Sequence, residues 1–294
     1  MSAREITAEQ QQMIDRLEAT GAFRVLRAID TPGIAPGALK PNERVALIVD
    51  TETTGLDLRD DEVVEVGILA FTYDEVDRFH RVIGMFEGLQ EPDNPLSADA
   101  MNITGITPDM LKGKAIDRVA LEQIINKANL IIAHNAAFDR PMCEKLCQAF
   151  ADKAWACSAT EVPWRRLGFE GAKLGYLLYQ SGLFHRGHRA LEDCYALLNV
   201  LTLPQKVADK SGLQLLLSSA RQTTAIVEVA APYELRAFFK SKGFRWRSEP
   251  RRWVKEVVET DAGAIVSEIN DFRSSEIHVQ VKSRTAFDRY KLSN

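Results

Sequence analysis

Runs of apolar residues predict a series of strands and helices along most of the chain. The runs at residues 45–49 and 130–133 are almost continuously apolar, which is typical of strands buried on both faces. Two further runs, at residues 63–71 and 78–83, follow the first closely and favour an antiparallel meander. Helical spacing is found at residues 106–112, 117–127, 139–150, 173–181 and 189–202, with a short strand at 154–157. This order predicts an α/β fold, a mixed sheet with helices on its faces.

Changes in the residue pattern divide the chain into four parts. Residues 5–28 have a helical pattern, and a loop rich in Gly and Pro follows them. In the last part, predicted strands alternate with predicted helices at short intervals: strand 225–229, helix 233–242, strands 244–247 and 252–258, helix 261–269 and strand 277–281. We interpret the parts as an N-terminal helical extension with its linker, a main domain, a helical connector and a small basic α+β module, at residues 1–40, 41–205, 206–222 and 223–294.

The composition is typical of a soluble globular protein. Of the 294 residues 46% are hydrophobic and 27% are charged, which is enough to bury a core. The apolar runs are shorter than the roughly 18 residues that a membrane span needs. Since the first residues also lack the apolar stretch of a secretory signal, a cytoplasmic location is expected. The four cysteines lack zinc-ligand spacing, and we interpret them as buried free thiols in a reducing compartment.

The charge is distributed unevenly between the two ends of the chain. The net charge of −4 by itself argues against a generic nucleic-acid binder. Residues 221–294, however, contain 14 Lys and Arg against 10 Asp and Glu, a charge of +4, which leaves −8 on the first 220 residues. The basic part is therefore the better candidate for contact with phosphates.

Carboxylates follow both of the buried strands. Asp50 and Glu52 are two residues apart, and on a strand this spacing points both side chains to the same face. Carboxylates this close repel each other unless a cation lies between them. A solvated strand end is the alternative, but the apolar strand before Asp50 places its backbone at the edge of the core. Asp139 follows the second buried strand and, taken alone, would be a helix N-cap.

His188 and Asp193 form a second pair of candidate residues. They are five positions apart, so on one continuous helix their side chains would diverge by about 140°. They can converge only if His188 lies in the loop before the helix, and Gly187 makes such a loop feasible. His185 and His80 lack a comparable setting and are expected to be structural or surface residues.

These residue types suit magnesium or manganese chemistry on a phosphodiester. Carboxylate oxygens without a close pair of thiolates favour Mg²⁺ or Mn²⁺ over zinc. Two such ions can orient a water molecule and stabilise both the attacking and the leaving oxygen. A histidine that titrates near neutral pH can take the proton from that water.

Three ordered motifs resemble those of the DEDDh family of 3′–5′ exonucleases. They are DTETTGL at residues 50–56, HNAAFD at residues 134–139 and HRALED at residues 188–193. The family includes the proofreading epsilon subunit of bacterial replicative polymerase, and the resemblance covers about residues 43–205. It implies an RNase H-like fold, a mixed five-stranded sheet flanked by helices.

The resemblance also implies a role for each candidate residue. Asp50, Glu52 and Asp193 would hold one metal ion, and Asp50 would bridge to a second. Asp139 would ligate directly or through water, and His188 would be the general base. The residues expected near the 3′-terminal nucleotide are Thr53, Leu56 and Phe138. One position departs from the family, because Thr104 stands where many relatives have a histidine before Gly-Ile-Thr.

In the C-terminal module basic side chains are interleaved with aromatic ones. We interpret the aromatic residues mostly as core, and four arginines as candidate nucleic-acid contacts: Arg245, Arg247, Arg251 and Arg252. The alternative is that the whole stretch is structural. Residues 214–217 faintly resemble a sliding-clamp peptide, but a helical connector explains them more simply.

The resemblance implies a metal-dependent 3′–5′ exonuclease that acts on DNA, in a role such as proofreading or repair. Its expected partners are the 3′ end of a DNA strand, which is favoured over RNA, and a polymerase or another replication or repair protein. Two alternatives stay open: an exoribonuclease that trims RNA, and a nucleic-acid-binding scaffold without catalysis. The scaffold predicts a missing carboxylate, and all four are present.

Overall fold

The computed structural model describes residues 6–204, 209–272 and 276–292. These residues form two compact units, and the chain passes from the first to the second between residues 219 and 220 and returns to the first between residues 289 and 290. The predicted boundary between main domain and connector, at residues 205–206, lies outside the described residues.

The first unit is built on helices and strands that the apolar pattern largely predicts. In chain order they are α1 Ala8–Ala19, β1 Arg27–Ala28, β2 Arg44–Thr53, β3 Val63–Tyr73, β4 Phe79–Leu89, α2 Ala98–Thr104, α3 Pro108–Leu111, α4 Arg118–Asn126, β5 Leu130–Ala133, α5 Ala136–Leu146, β6 Trp155–Cys157, α6 Ser158–Glu161, α7 Leu174–Gln180, β7 Leu183–Phe184, α8 Ala190–Thr202 and α9 Gly212–Ala220.

A mixed five-stranded sheet forms the centre of this unit, as the sequence predicts. Its strand order is β4-β3-β2-β5-β6, with β2, β3 and β4 antiparallel and β2, β5 and β6 parallel. Every residue of β3 is buried, because helices cover both faces of the sheet. Side chains of α4 and α5 pack into the core on one face, and α8 packs against β2 and β3 on the other.

Some boundaries differ from those predicted. The helix expected over residues 5–28 is shorter and runs only from Ala8 to Ala19. All of its described side chains are partly or fully exposed. The helix expected from Asp139 begins at Ala136. The strands β1 and β7, which pair in parallel, and the short helices α2 and α6 are not predicted from the sequence.

The second unit is the expected α+β module. It contains β8 Thr224–Ala230, α10 Arg236–Ser241, β9 Arg245–Arg247, β10 Arg252–Val258, α11 Glu259–Asn270 and β11 His278–Arg284. The strands form one antiparallel sheet of order β11-β8-β10-β9. Its core contains Phe239, Phe244 and Trp253, whereas Trp246 is 49% exposed. The prediction that most of these aromatic residues are core is thus confirmed.

The burial of α9, the state of the cysteines and the length of the helices bear on three predictions made from the sequence. In α9, Leu216 and Leu217 are fully buried, so two of the four residues that resemble a clamp peptide are not available to a partner. The four cysteines, all among the described residues, are free, and only Cys147 is partly exposed. Within the part of the chain that the structure describes, no helix is both long and apolar enough to cross a membrane.

Candidate active site

The end of β2 carries two of the predicted carboxylates. Asp50 and Glu52 lie on the same face of the strand, opposite Gly67 and Glu65 of β3. The register between β2 and β3 shifts directly after Glu52, one residue before the strand ends. The pair therefore lies at the edge of the core, as the apolar run before it predicts.

Close packing of α8 on β3 brings Asp193 to this edge. At Gly67 an added Cβ would lie 2.3 Å from both the carbonyl carbon of Ala190 and the amide nitrogen of Leu191. Glycine therefore lets the first turn of α8 approach the strand closely. Cys194 contributes to the same contact, since its Sγ donates to the carbonyl oxygens of Ile48 and Gly67 at 3.6 and 3.3 Å.

Three of the predicted carboxylates meet in one cluster. Asp50, Glu52 and Asp193 each offer an oxygen, and these oxygens lie within 4.8 Å of one another. Hard oxygen donors at this separation are suited to Mg²⁺ or Mn²⁺, which carboxylates bind in preference to softer metals. The donor chemistry therefore fits a divalent cation.

Asp139 lies beside this cluster, in the first turn of α5. It is not an N-cap residue, because the helix begins three residues earlier and Asn135 occupies the N-cap position. Its carboxylate is buried and accepts a hydrogen bond of 2.9 Å from the Thr51 hydroxyl. Thr51 stands between Asp50 and Glu52 in β2, so this bond ties α5 to the strand that carries the other carboxylates.

The cluster carries strong electrostatic strain without a cation. Burial, followed by repulsion from Asp193 and Glu65, raises the pKa of Glu52 to about 8. Burial also raises the pKa of Asp139 to about 7, against the opposing effect of the Thr51 hydrogen bond. The pKa of Asp50 is raised well above its usual value by burial and by Asp139 and Asp193. A bound cation would relieve this repulsion and keep the carboxylates ionised.

His188 lies in the loop before α8, as the spacing predicts. Arg189 is the N-cap of the helix, and His188 has a left-handed backbone with φ of 68°. Its backbone N–H donates to Oδ2 of Asp193 at 2.8 Å, while its side chain is exposed. The break between loop and helix is thus confirmed, and the His188 side chain is accessible to solvent.

His185 is a residue whose position the sequence does not reveal. It was expected to be structural or at the surface, but its Nε2 lies 2.8 Å from Oδ1 of Asp193, and its side chain is only 10% exposed. The contact depends on how the loop at residues 185–189 folds back on α8. A spacing of eight residues from Asp193 does not predict such a contact.

A buried ion pair supports the same loop. Glu65 of β3 is fully buried and accepts hydrogen bonds from the Arg189 guanidinium at 2.7 and 3.0 Å. Its second oxygen accepts from the backbone N–H of Ala190 at 3.1 Å. The sequence contains a signal for this contact, because Glu65 is a lone charge within a completely apolar strand. A charge so placed needs a partner.

The residues expected near the 3′-terminal nucleotide have different exposures. Leu56, in the turn after β2, is 84% exposed. Phe138 in α5 is partly buried against the core, and the Thr53 hydroxyl donates to the carbonyl of Gly55 at 2.5 Å. At the position that departs from the family, the Thr104 hydroxyl donates to the carbonyl of Ala100 at 2.8 Å and thus supports the end of α2.

His134, the first residue of the second motif, connects two loops. Its Nε2 lies 2.6 Å from the carbonyl oxygen of Ala172, and its Nδ1 lies 2.9 Å from Oγ of Ser158. Burial lowers the pKa of His134. Through these two contacts His134 links the end of β5 to the segment before α7.

Comparison with known proteins identifies the class to which this fold and site belong. The sequence profile of the exonuclease family RNase_T matches residues 47–201, more than half of the chain. The protein belongs to this exonuclease family. The match confirms the resemblance noted in the three motifs, and the matched range contains all four carboxylates and His188.

Two curated relatives agree with this assignment. DNA polymerase III subunit epsilon of Treponema pallidum is 30% identical over 178 residues, which cover 55% of this chain and 77% of the subunit. A PolC-type DNA polymerase III of Listeria innocua is 37% identical over 94 residues, 31% of this chain but only 6% of that polymerase. A solved structure of exonuclease X in complex with 5′ overhanging duplex DNA matches with 26% identity and a TM-score of 0.39, over 57% of this chain and 99% of that one.

Proposed function

We propose that the protein is a metal-dependent 3′–5′ exonuclease that removes nucleotides from the 3′ end of DNA. The observation that carries this proposal is the convergence of Asp50, Glu52 and Asp193 within 4.8 Å, in a chain that belongs to an exonuclease family. The buried Asp139 beside them adds a fourth carboxylate. A scaffold without catalysis has no need of four carboxylates whose mutual repulsion costs stability.

Each side chain has a definite part in this proposal. Asp50, Glu52 and Asp193 would hold one Mg²⁺ or Mn²⁺ ion, and Asp50 and Asp139 would hold a second. When bound, the ions stabilise the charge that develops on the attacking and leaving oxygens of the phosphodiester. His188 takes a proton from the attacking water while the oxygen of that water bonds to phosphorus. The bond from phosphorus to the 3′ oxygen of the preceding nucleotide breaks, and that oxygen takes a proton from solvent.

The product of this step is a nucleoside 5′-monophosphate and a strand that is one nucleotide shorter. Leu56 offers an exposed apolar side chain to the terminal base, Thr53 lies at the end of β2, and Phe138 flanks the pocket from α5. DNA is favoured over RNA because the curated relatives named above are DNA polymerase III proteins. Whether the site distinguishes DNA from RNA by the 2′-hydroxyl is measured by comparing the rates on DNA and RNA substrates.

A hydrolysis assay on matched substrates tests the proposal. The full chain is incubated with Mg²⁺ or Mn²⁺ and with single- and double-stranded DNA and RNA labelled at the 5′ end, so that successive shortening from the 3′ end is visible. The wild type is expected to shorten DNA, and Asp193→Asn is expected to lower the rate at least about 100-fold, or about 3 kcal/mol.

The neighbouring Glu192 provides a matched control, since it is exposed on the same turn of α8. Glu192→Gln removes the same charge and is expected to keep the wild-type rate. Degradation of RNA in preference to DNA would replace the substrate assignment. Failure on every substrate, or equal activity of Asp193→Asn, would overturn the enzymatic assignment itself.

We propose further that the enzyme associates with a DNA polymerase. The support is that the relative from Treponema pallidum is named as a polymerase subunit and that the chain covers 77% of it. Gel filtration of the purified chain with the replicative polymerase of the same organism tests this partner. Co-elution is expected, and separate elution at micromolar concentrations would exclude a stable complex.

A further inference from the structure

Within the described part of the second unit, α10 and α11 both pack on the same face of the sheet. Residues Ala225, Val227 and Val229 of β8 point into the core, where they pack with Phe239 of α10 and Ala262 of α11. Because side chains alternate along a strand, Ile226 and Glu228 point to the opposite face. We call this opposite face the open face.

Strand register places five basic side chains on the open face. Residues directly opposite each other on paired strands lie on the same face of the sheet. Val254 is opposite both Glu228 and Arg245, so Arg245 lies on the open face. Lys282 is opposite Ile226 and lies on the same face. The complete basic set on these described strands is Arg245, Arg247, Arg252, Lys282 and Arg284. The acidic residues on the same strands and face are Glu228 and Glu256, which leaves a net charge of +3.

The two carboxylates pair with three of the basic side chains on this face. Glu228 is buried between strands and pairs with Lys282 at 3.1 Å and with Arg247 at 3.6 Å. Glu256 accepts from the Thr224 hydroxyl at 2.7 Å and lies 3.8 Å from Arg284. Glu228 thus holds two basic side chains in place, and these side chains remain 60% exposed in Lys282 and 44% exposed in Arg247.

Two arginines on the face have no such partner. Arg245 is exposed, and among residues 6–204, 209–272 and 276–292 no carboxylate pairs with it or with Arg252. The guanidinium of Arg252 donates only to the neighbouring carbonyl of Arg251, at 3.1 Å. Both therefore keep donors free for a ligand on the part of the face next to β9.

We propose that the open face is a second nucleic-acid-binding surface, which holds the phosphate backbone of a DNA strand. Basic groups about 7 Å apart along each strand and about 5 Å apart between strands form a grid of positive charge. Guanidinium groups match phosphate bidentately, and four of the five groups are arginines. The open face carries no Phe, Tyr or Trp, since Trp246 and Trp253 lie on the other side of the sheet.

This composition predicts how the surface binds. Without aromatic side chains for base stacking, affinity comes from phosphates and is independent of base sequence and strongly dependent on salt. The choice of a nucleic acid over an acidic protein rests on the proposed function, because the same chain would bind a DNA strand for hydrolysis.

Binding of the full chain to DNA tests the open face directly. The probe is a fluorescein-labelled single-stranded oligonucleotide with phosphorothioate linkages, measured by anisotropy in EDTA at several salt concentrations. Arg245→Glu with Arg252→Glu is expected to weaken binding about 10-fold or more, and to reduce the salt slope by about 1.4, near 0.7 for each lost phosphate contact. The matched control is Arg236→Glu with Lys240→Glu on α10, two exposed basic residues on the covered side.

The outcomes separate this proposal from the others. Equal weakening by both pairs, or by neither, would overturn it, and Arg245→Gln with Arg252→Gln repeats the test if the Glu pair unfolds on thermal denaturation. Unchanged DNA affinity together with lost binding to polyglutamate would assign the face to an acidic protein instead. Because EDTA removes divalent cations, the result is independent of whether the chain hydrolyses DNA.

Discussion

Both oxygens of the Asp193 carboxylate are engaged before any cation binds. Oδ1 lies 2.8 Å from His185 Nε2, and Oδ2 accepts from the backbone N–H groups of His188 and Arg189 at 2.8 and 3.1 Å. A carboxylate has about four lone-pair sites, so these contacts orient it while leaving a site for a metal. The loop that carries the candidate base thereby also sets the direction of one ligand.

The raised pKa values of the carboxylates make stability depend on pH. A carboxyl whose pKa is higher in the folded than in the unfolded state binds more protons when folded. Its contribution is therefore fully present below the unfolded pKa, near 4.5 for Glu52, and is lost as the pH rises through the folded value of about 8. Asp139 acts in the same direction up to a pH of about 7.

We therefore expect the metal-free protein to become less stable between about pH 4.5 and pH 8, and divalent cations to offset this loss. Melting curves at pH 6 and pH 8, in EDTA and in Mg²⁺ or Mn²⁺, measure the effect. The rise in Tm on adding metal should be larger at pH 8, by several degrees, since one pKa unit is about 1.4 kcal/mol and 1 kcal/mol is about 2–4 °C at this size. An equal rise at both pH values would contradict this account.

At the scale of elements, the contact of α8 with β3 decides whether the site exists. Asp50 and Glu52 come from β2, whereas Asp193 comes from a helix far along the chain. The register of β2 with β3 places Gly67 directly beside Asp50. The missing side chain at Gly67 thus lets a carboxylate of the sheet and a carboxylate of the helix lie within 4.8 Å of each other.

Gly67→Ala is expected to separate the ligands. The new Cβ would lie 2.3 Å from backbone atoms that cannot rotate away, so α8 must shift, at a cost of about 1–3 kcal/mol in unfolding free energy. Hydrolysis and Mn²⁺ affinity, the latter by titration calorimetry, should both fall at least about 10-fold. Gly84→Ala is the control, since its Cβ would meet Ala70 at an ordinary 3.7 Å. Mn²⁺ affinity that survives in Gly67→Ala would show that α8 tolerates the shift.

Elements with continuous apolar runs are the ones that the sequence predicts well. β5 has the predicted bounds of residues 130–133, because four buried residues between polar ones define a strand unambiguously. The helix α2 escapes prediction because it buries none of its described side chains and so has no apolar stripe. The pairing of β1 with β7 depends on contacts between segments more than 150 residues apart, which local pattern does not encode.

The candidate site is predictable to a similar extent. Asp50, Glu52 and Asp193 were recognised by spacing and motif, and the structure brings them together. The contacts of His185 and Arg189 arise from the fold of one loop and from a partner on another strand, so linear spacing does not reveal them.

At the scale of the whole molecule, the chain returns to its first unit after completing the second. Tyr290 belongs to the first unit and packs against its core. Its hydroxyl donates to Glu161 Oε1 at 2.8 Å, and the same carboxylate accepts from the backbone N–H of Cys157 and from the Ser219 hydroxyl. The end of the chain is thus bonded to the segment that follows β6.

Tyr290→Phe is expected to lower the unfolding free energy by about 1 kcal/mol, because it removes a half-buried hydrogen bond to a carboxylate. Urea denaturation of the variant and the wild type measures the change. Tyr176→Phe is the matched control, since its hydroxyl donates to the exposed Glu170 over the same 2.8 Å. The control should cost only a few tenths of a kcal/mol. Equal losses of unfolding free energy in both variants would show that the Tyr290–Glu161 hydrogen bond stabilises the protein no more than an exposed one.

The return at Tyr290 leaves the second unit joined to the first at both of its ends, after Ser219 and before Tyr290. A unit attached twice is a closed loop, and a single proteolytic cut in one link leaves the other intact. On the proposal that the open face binds DNA, these two covalent attachments tether a bound strand to the same molecule as the exonuclease unit. We therefore expect the double attachment to favour repeated shortening of one strand before that strand dissociates.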